Sequence, residues 1–358
     1  MTPSYHLREL KVEVNRECPL RCLHCSSNGA PHAPERLEPC KVADLIREFS
    51  CMGGKVLALS GGEPLCYKDL SQILNVCRDV GISPNLYTSG IYSNGSSLYP
   101  ISEDNLALLN QTDAKVIFSL HGACANTHDT LTQVAGSFDI TIEAMQRTLA
   151  AGIPTEVHVV PTAINFLEIA DMVKLLASMG IKKVSWLRFV PQGRGESNRG
   201  LLQLTTEQLA QLARQKVELQ KMIPNIQIRT GSPFNILFPQ SPAPCVAGLS
   251  VLTIRPDGYA VPCDAFKQFV RPYRFSNILH YSLSEVWRKS EFLAGVRHIQ
   301  EFGRNSPCVS CPEYPRCKSG CLAQKAVAAG RLTNGKDPDC LLEHDEVGSG
   351  EIKEVAVC

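Results

Sequence analysis

The sequence lacks an excess of charge of either sign, any apolar run of membrane length and any secretory signal. Thirty-six basic residues stand against 35 acidic ones, so nothing favours a nucleic-acid footprint or a polybasic membrane anchor. Apolar runs such as residues 56–59 and 106–109 are far shorter than a bilayer span. The N-terminal segment carries His6, Arg8 and Glu9 and no apolar core, which argues against secretion. We therefore expect no nucleic-acid partner and no membrane association.

Cysteine is the one residue type in unusual abundance, with 16 among 358 residues. Disulfide-rich chains are usually short secreted domains, whereas this chain is long, has ordinary hydrophobic content and carries no signal peptide. Glycine and proline are not in excess, and there is no low-complexity segment. We therefore interpret the cysteines as reduced thiols that serve as metal or cluster ligands, and we expect a cytoplasmic protein.

Short β-branched apolar runs alternate with amphipathic stretches in the first two-thirds of the chain, which is typical of repeated β–α units around a parallel sheet. The predicted strands are residues 10–15, 56–60, 84–88, 115–120, 155–161 and 183–190. The predicted helices between them are residues 40–51, 68–80, 103–110, 139–151 and 167–179. Gly81, Gly152 and Gly180 each follow a helix and precede a strand, as helix-ending glycines do. Six such units predict an α/β fold with a partial (β/α)6 TIM-type barrel, and an open doubly wound sheet is the alternative.

The composition changes after residue 190. The elements predicted there are a Gly-rich polar loop at 191–200, a helix at 205–222, a proline-rich linker at 224–244 with a strand at 226–229, and a hairpin that pairs 251–254 with 259–261. The predicted domains are a barrel at 1–230, a small Cys-rich domain of a β-hairpin and cluster-binding loops at 231–342, and a flexible tail at 343–358.

Cys18, Cys22 and Cys25 directly follow the first predicted strand. That position places three thiols on one tight loop at the carboxyl-terminal mouth of a barrel, where such folds keep their chemistry. Thiolates at this spacing can surround a cubane cluster, and three ligands for four irons leave one iron open. A zinc loop is the alternative, but three cysteines make a poor closed zinc site. The loop therefore favours a catalytic [4Fe–4S] cluster.

A second motif, Gly61-Gly62-Glu63, follows the second predicted strand. Together with the Cys-x3-Cys-x2-Cys loop, it resembles the radical S-adenosylmethionine (SAM) superfamily, in which the Gly-Gly-Glu segment receives the methionyl amino group. Glycine lets a backbone approach a ligand closely, which suits this role. The resemblance implies an enzyme that binds SAM at its cluster, cleaves it reductively to a 5′-deoxyadenosyl radical and removes a hydrogen atom from a substrate.

The same resemblance implies further contacts with SAM. Thr88 and Ser89 match the ribose-contacting segment after the third strand, and Ser119 matches a residue that faces the cofactor. Each hydroxyl could equally cap its own loop. Arg188 is a candidate partner for the methionyl carboxylate, with an ion pair between the domains as the alternative. Many relatives carry an arginine in the stretch that corresponds to residues 128–133, but this chain has none there.

Seven more cysteines form a specific pattern in the last third of the chain. They are Cys245, Cys263, Cys308, Cys311, Cys317, Cys321 and Cys340. The pattern resembles the SPASM extension of some radical SAM enzymes, which implies two auxiliary [4Fe–4S] clusters and three clusters in all. By this resemblance Cys245, Cys263 and Cys321 hold the first, with a fourth ligand open, and Cys308, Cys311, Cys317 and Cys340 hold the second. One or two zinc-ribbon sites are the alternative.

The resemblance also implies the fate of the substrate radical. Loss of an electron to an auxiliary cluster gives a net oxidation, and coupling to a neighbour gives a crosslink. An oxidation also needs a base. Asp264 resembles the aspartate of the sulfatase-maturing members that is the proposed proton acceptor, with a loop aspartate as the alternative. His121 and His128 are weaker candidates, and flavodoxin or ferredoxin is the expected electron donor.

We expect the substrate to be a peptide or protein side chain, because the SPASM extension occurs most often in peptide-maturing members. The barrel begins within about ten residues of Met1, so we expect no separate N-terminal peptide-recognition domain, and a recognition protein is a candidate partner. The alternatives are a small-molecule dehydrogenase or epimerase in cofactor or natural-product biosynthesis, and a non-catalytic iron–sulfur electron carrier or sensor. The open three-cysteine site argues against the last.

Overall fold

A curved sheet forms the centre of the computed structural model, which describes residues 5–95, 97–237, 243–269, 271–303 and 306–341. Within these residues the strands are β1 (Glu9–Asn15), β2 (Val56–Gly61), β3 (Pro84–Thr88), β4 (Ile91–Ser93), β5 (Leu98–Pro100), β6 (Lys115–Ser119), β7 (Thr155–Val159), β8 (Lys183–Trp186), β9 (Gln227–Thr230), β10 (Val251–Ile254) and β11 (Ala260–Val261). The main sheet has the order β11-β10-β1-β2-β3-β6-β7-β8-β9. Only β11 runs antiparallel to its neighbour in it.

The strands separate an apolar face from a polar one. On β1, Leu10 and Val12 are fully buried, whereas Lys11 between them points to the opposite face because side chains alternate along a strand. Tyr87 on β3 and His158 on β7 lie two strands apart, yet their ring centroids are only 5.4 Å apart. Two strand spacings in a flat sheet measure roughly 9.6 Å. The sheet therefore curves around its polar face, as a partial barrel requires.

The longer helices cover the apolar face, and shorter ones lie elsewhere around the sheet. Among the described residues they are α1 (Pro39–Cys51), α2 (Leu70–Asp79), α3 (Glu103–Gln111), α4 (Ala125–Thr132), α5 (Ser137–Ala150), α6 (Ile169–Ser178), α7 (Arg194–Ser197), α8 (Arg199–Leu202), α9 (Thr206–Met222), α10 (Leu283–Lys289), α11 (Glu291–Phe302), α12 (Tyr314–Cys317) and α13 (Leu322–Ala329). None of the helices in that part of the chain is both long enough and apolar enough to cross a bilayer.

The six predicted β–α units are confirmed. Their strands β1, β2, β3, β6, β7 and β8 lie side by side in chain order, whereas a doubly wound sheet reverses its order at a switch point. The partial barrel is therefore the fold. Gly81, Gly152 and Gly180 adopt positive φ values of 71°, 72° and 87° after their helices, which confirms them as helix-ending residues.

The region after the barrel differs from the prediction in two ways. The predicted hairpin forms as β10 and β11, but β10 also pairs in parallel with β1, with Leu252 opposite Leu10. The Cys-rich region therefore shares the barrel sheet. The predicted loop at 191–200 instead contains the short helices α7 and α8. The predicted tail at 343–358 lies outside the described residues.

Candidate functional site

Cys18, Cys22 and Cys25 lie on one loop after β1, and the structure brings their thiols together. Burial, followed by the nearby Cys22 thiol, raises the pKa of Cys18 well above its ordinary value. Burial and the neighbouring Cys25 thiol raise the pKa of Cys22 to about 12. We call these three residues the first thiol group.

The segment predicted as a loop at 191–200 covers the first thiol group. Arg194 Nε donates a hydrogen bond of 2.9 Å to the carbonyl oxygen of Cys22. The amide of Arg194 donates to the carbonyl oxygen of Cys25 over 3.1 Å. A Cβ on Gly193 would lie 2.7 Å from that same oxygen, so only glycine permits this approach. The sequence offers no local signal for Arg194, because its position depends on how α7 packs on the cysteine loop.

Gly61 and Gly62 are required by close packing of one backbone on another. A Cβ on Gly62 would lie 2.2 Å from the carbonyl oxygen of Glu17, and one on Gly61 would lie 2.4 Å from that of Asn15. Residues 15–17 lead from β1 into the first thiol group, so the two motifs touch through their main chains. The prediction that these glycines also admit a ligand stays a prediction.

Glu63 is buried, and its carboxylate accepts four hydrogen bonds. Thr88 Oγ1 donates over 2.5 Å, while the amide and hydroxyl of Ser89 donate over 2.8 and 2.6 Å. The amide of Leu65 donates over 3.1 Å. Burial nevertheless raises the pKa of Glu63. The structure thus brings three predicted SAM-binding residues together, and Ser119 ends the neighbouring strand β6.

Arg188 corrects one expectation. Its guanidinium donates to the two carboxylate oxygens of Asp337 over 2.5 and 2.8 Å and to Asp339 over 2.7 Å. A further bond of 2.9 Å reaches the carbonyl oxygen of Pro233. The Arg188 side chain is only 3% exposed, so it is not available to a methionyl carboxylate. The alternative, an ion pair between the two regions, is what the structure contains.

The remaining predicted ligands separate into two groups. Burial, then the thiols of Cys245 and Cys321, raise the pKa of Cys263. Burial, then the Cys340 thiol, raises the pKa of Cys317 to about 11. We call Cys245, Cys263 and Cys321 the second thiol group and Cys308, Cys311, Cys317 and Cys340 the third thiol group. Burial, then the thiols of Cys340 and Cys311, raise the pKa of Cys308, so the members of the third group also lie near one another. That these groups ligate clusters stays a prediction.

Asp264, the predicted proton acceptor, lies on the polar face of the sheet beside the second thiol group. Lys11 Nζ donates to its Oδ2 over 2.7 Å, and Thr253 Oγ1 donates to its Oδ1 over 3.2 Å. The Lys267 ammonium lies 3.6 Å from Oδ1. Burial alone would raise the pKa of Asp264, but the charges of Lys11 and Lys267 outweigh it and lower the pKa well below its usual range. The group is therefore a carboxylate at neutral pH.

His121 and His128, the weaker acid–base candidates, are buried and form a row of rings with the half-buried His24. The ring centroids of His24 and His121 are 4.5 Å apart, and those of His121 and His128 are 5.3 Å apart. Burial lowers the pKa of His24 and of His128 to about 4 and lowers that of His121 further. All three are neutral imidazoles at pH 7.

Two further cysteines at the mouth of the barrel do not join any thiol group. Cys124 is exposed, and its thiol contacts Thr127 and Glu168. Cys66 lines a cavity of about 260 Å³ together with Asn15 and other residues, none of which belongs to the first thiol group.

Two sequence profiles match the chain. The profile of the Radical SAM superfamily matches residues 12–186, and that of an iron–sulfur cluster-binding domain, SPASM, matches residues 245–312. The chain belongs to the radical SAM superfamily. It is therefore a radical SAM enzyme with a SPASM region, and the non-catalytic alternative is set aside.

Characterised relatives extend over nearly the whole chain. The mycofactocin maturase MftC of Mycobacterium tuberculosis is 28% identical over 351 residues, covering 94% of this chain and 83% of the relative. The PqqA peptide cyclase of Methylocella silvestris is 28% identical over 345 residues, covering 95% and 89%. The crystal structure of Streptococcus suis SuiB superposes with a TM-score of 0.76 at 19% identity, covering 94% of this chain and 78% of that one. The SuiB similarity supports the fold.

Family membership implies a SAM-binding [4Fe–4S] cluster and auxiliary iron–sulfur clusters, and the three thiol groups fit them. Buried thiols with raised pKa values keep their protons until a metal replaces them. Among the described residues, no three His, Cys, Asp or Glu side chains are grouped so as to hold one metal ion.

Proposed function

We propose that this radical SAM enzyme oxidises or crosslinks a side chain of a peptide or protein. The observation that carries the proposal is similarity over nearly the whole chain to two relatives named as a maturase and a peptide cyclase. Both relatives match through the barrel and through the Cys-rich region. The polar concave face of the sheet, which carries Lys11 and Tyr87, offers a surface for a polar substrate.

In this proposal each thiol group holds one cluster. The first thiol group holds the SAM-binding cluster, the second holds one auxiliary cluster with an open ligand position, and the third holds a fully ligated auxiliary cluster. Gly61, Gly62 and Glu63 receive the methionyl amino group, and Thr88, Ser89 and Ser119 contact the rest of SAM. When bound, the cluster and SAM supply the radical that removes a hydrogen atom from the substrate.

Asp264 acts in this proposal as the proton acceptor for the oxidation. Lys11 and Thr253 each hold one of its carboxylate oxygens, so the group keeps one orientation. It directly follows Cys263 of the second thiol group, which places proton acceptance beside an auxiliary cluster. Its depressed pKa keeps Asp264 deprotonated, although the same depression makes it a weak base, so it accepts only a strongly acidic proton.

The expected partners belong to this proposal as well. Flavodoxin or ferredoxin supplies the electron, and a separate protein presents the peptide. We place the enzyme in the cytoplasm, because reduced thiols persist there.

The proposal is tested by anaerobic incubation of the cluster-loaded enzyme with SAM, a reductant and a candidate peptide encoded by a short neighbouring reading frame. We expect 5′-deoxyadenosine together with a peptide of changed mass. The variant Cys18→Ala is the control and should form neither product. If 5′-deoxyadenosine forms but only a small molecule is consumed, the dehydrogenase or epimerase alternative is correct. If the loaded enzyme forms no 5′-deoxyadenosine, the proposed function fails.

A further inference from the structure

Lys325 on α13 is a buried cation with an unusual set of neighbours. Its side chain is 4% exposed, and its Nζ donates a hydrogen bond of 2.8 Å to Ser319 Oγ. Within the part of the chain that the structure describes, no carboxylate forms an ion pair with this ammonium. A buried ammonium costs several kcal/mol unless a negative group compensates it. Compensation for this ammonium must therefore come from negative groups that lie farther away than an ion pair.

Burial lowers the pKa of Lys325, and the negative groups that oppose this effect are Asp337 and thiols of two different groups. Apart from Asp337, they are Cys308 of the third thiol group and Cys321 and Cys245 of the second. The Lys325 ammonium is bonded to Ser319, which lies in the chain between Cys317 of the third thiol group and Cys321 of the second, so it lies near both predicted auxiliary clusters. A [4Fe–4S] cluster with thiolate ligands carries negative charge, so two such clusters would compensate the buried cation.

The chain builds this position with a strained turn. Cys317 belongs to the third thiol group and Cys321 to the second, and residues 318–320 between them all have positive φ values of 55°, 60° and 81°. Such a run is costly for the two residues that are not glycine and persists only where the surroundings fix it. The hydroxyl of Ser319 is bonded to Lys325. One helical turn separates Lys325 from Cys321, so both project to the same side of α13.

Asp337 does not neutralise Lys325, because it is already paired. Arg188 occupies both of its carboxylate oxygens, and the amide of Cys321 donates to Oδ2 over 2.8 Å. Asp337 thus fixes the position of a second-group ligand, while Arg188 compensates its charge. Asp339 also binds Arg188, so the two aspartates balance the charges of Arg188 and Lys325 in number, but neither carboxylate contacts the Lys325 ammonium.

We propose that Lys325 is a positioning residue for the redox chemistry, which raises the reduction potentials of both auxiliary clusters. Reduction adds a negative charge to a cluster, and a fixed cation beside it favours the reduced state. One ammonium near two clusters acts on both in the same direction. The inference rests on the proposed assignment of the second and third thiol groups as cluster ligands.

The test uses the full chain with Cys18, Cys22 and Cys25 changed to alanine, so that only the auxiliary clusters contribute to the signal. The clusters are assembled anaerobically, iron and sulfide are quantified, and midpoint potentials are measured by redox titration followed by electron paramagnetic resonance. In this background we expect Lys325→Met to keep its iron and to lower both potentials. Lys325→Arg should keep both potentials near the parent values. Lys289→Met, which removes an exposed lysine from α10, is the matched control and should change neither.

Unchanged potentials in a fully loaded Lys325→Met protein would overturn the inference, as would an equal fall in Lys325→Arg. If Lys325→Met loses its clusters, Lys325→Gln provides the second test. The amide keeps a hydrogen-bond donor for Ser319 but removes the positive charge, so both potentials should fall, and a rise or no change overturns the inference. Failure of the proposed function gives a different result, because the unsubstituted enzyme would then lack iron in the auxiliary clusters or would form no 5′-deoxyadenosine.

Discussion

Replacing Arg188 by methionine removes the cation that joins the barrel to the Cys-rich region. Arg188 follows β8, and its partners Asp337 and Asp339 lie in the segment that leads to Cys340. The side chains of Arg188 and Asp337 are 3% and 1% exposed, whereas that of Asp339 is 14% exposed. Methionine fills a similar volume without a charge, so the substitution isolates the loss of the ion pair.

The expected cost follows from the burial of the two carboxylates. Removing one partner from a buried ion pair costs about 3–5 kcal/mol, because the remaining charge is left uncompensated. Asp337 is fully enclosed and loses two charge-assisted hydrogen bonds, whereas Asp339 keeps some contact with water. We expect Arg188→Met to lower the free energy of unfolding by about 4 kcal/mol. Adding Asp337→Asn should recover roughly half, because the most enclosed charge is then removed as well.

The measurement is the urea midpoint of anaerobically loaded protein, followed by tryptophan fluorescence. Trp186 on β8 and Trp287 on α10 are both buried, so the signal reports on both regions. Lys289→Met is the matched control, since its ion pair with Glu285 is exposed and such pairs contribute about 0.3–0.5 kcal/mol. The reasoning is refuted if Arg188→Met costs no more than this control, or if adding Asp337→Asn makes the loss larger.

Three further outcomes are expected. Cys18→Ala should abolish 5′-deoxyadenosine formation and remove about a third of the bound iron, since two of three clusters remain; complete loss of iron would contradict separate sites. Gly62→Ala should lower the free energy of unfolding by roughly 1–3 kcal/mol or more, because the new Cβ would clash with the Glu17 carbonyl oxygen. The control is Gly200→Ala, whose Cβ would lie in open space and which should have little effect in the same urea assay. Because Lys11 lowers the pKa of Asp264, the ionised Asp264 stabilises the fold at neutral pH, and this stabilisation is lost only as the pH falls below about 4. A urea midpoint of Asp264→Asn at pH 7 that equals the parent midpoint would contradict this.

The barrel could be predicted because its signals are local. The runs that became β2 and β3 are bounded by glycine, proline and polar residues, and α2 between them buries one apolar stripe. Two missed elements also carried local signals. Asn94-Gly95 between β4 and β5 is a typical hairpin turn, and Ser282 with Glu285 forms a capping box at the start of α10.

The features that could not be predicted depend on contacts between distant segments. The sequence predicts the hairpin of β10 and β11, but not that β10 adds to the barrel sheet beside β1, because a four-residue strand does not encode its partner. The roles of three cationic side chains could not be predicted from the sequence either. Arg188 pairs with Asp337, 149 positions away, while Arg194 and Lys325 stand in ordinary polar and helical patterns whose neighbours only the fold supplies.

The charges around the thiol groups differ in a way that suits a radical oxidation. The first thiol group lies beside the buried carboxylate of Glu63, which adds to the factors that raise the pKa of Cys18. A nearby negative charge disfavours adding an electron, so a cluster there is a strong reductant once it has been reduced. The second and third thiol groups share the buried ammonium of Lys325, which favours adding an electron. A cluster that must give an electron to a sulfonium and a cluster that must take one from a substrate radical need opposite surroundings. Under the proposed assignment of the clusters the fold provides both, and Asp264 beside the second thiol group is the proposed proton acceptor.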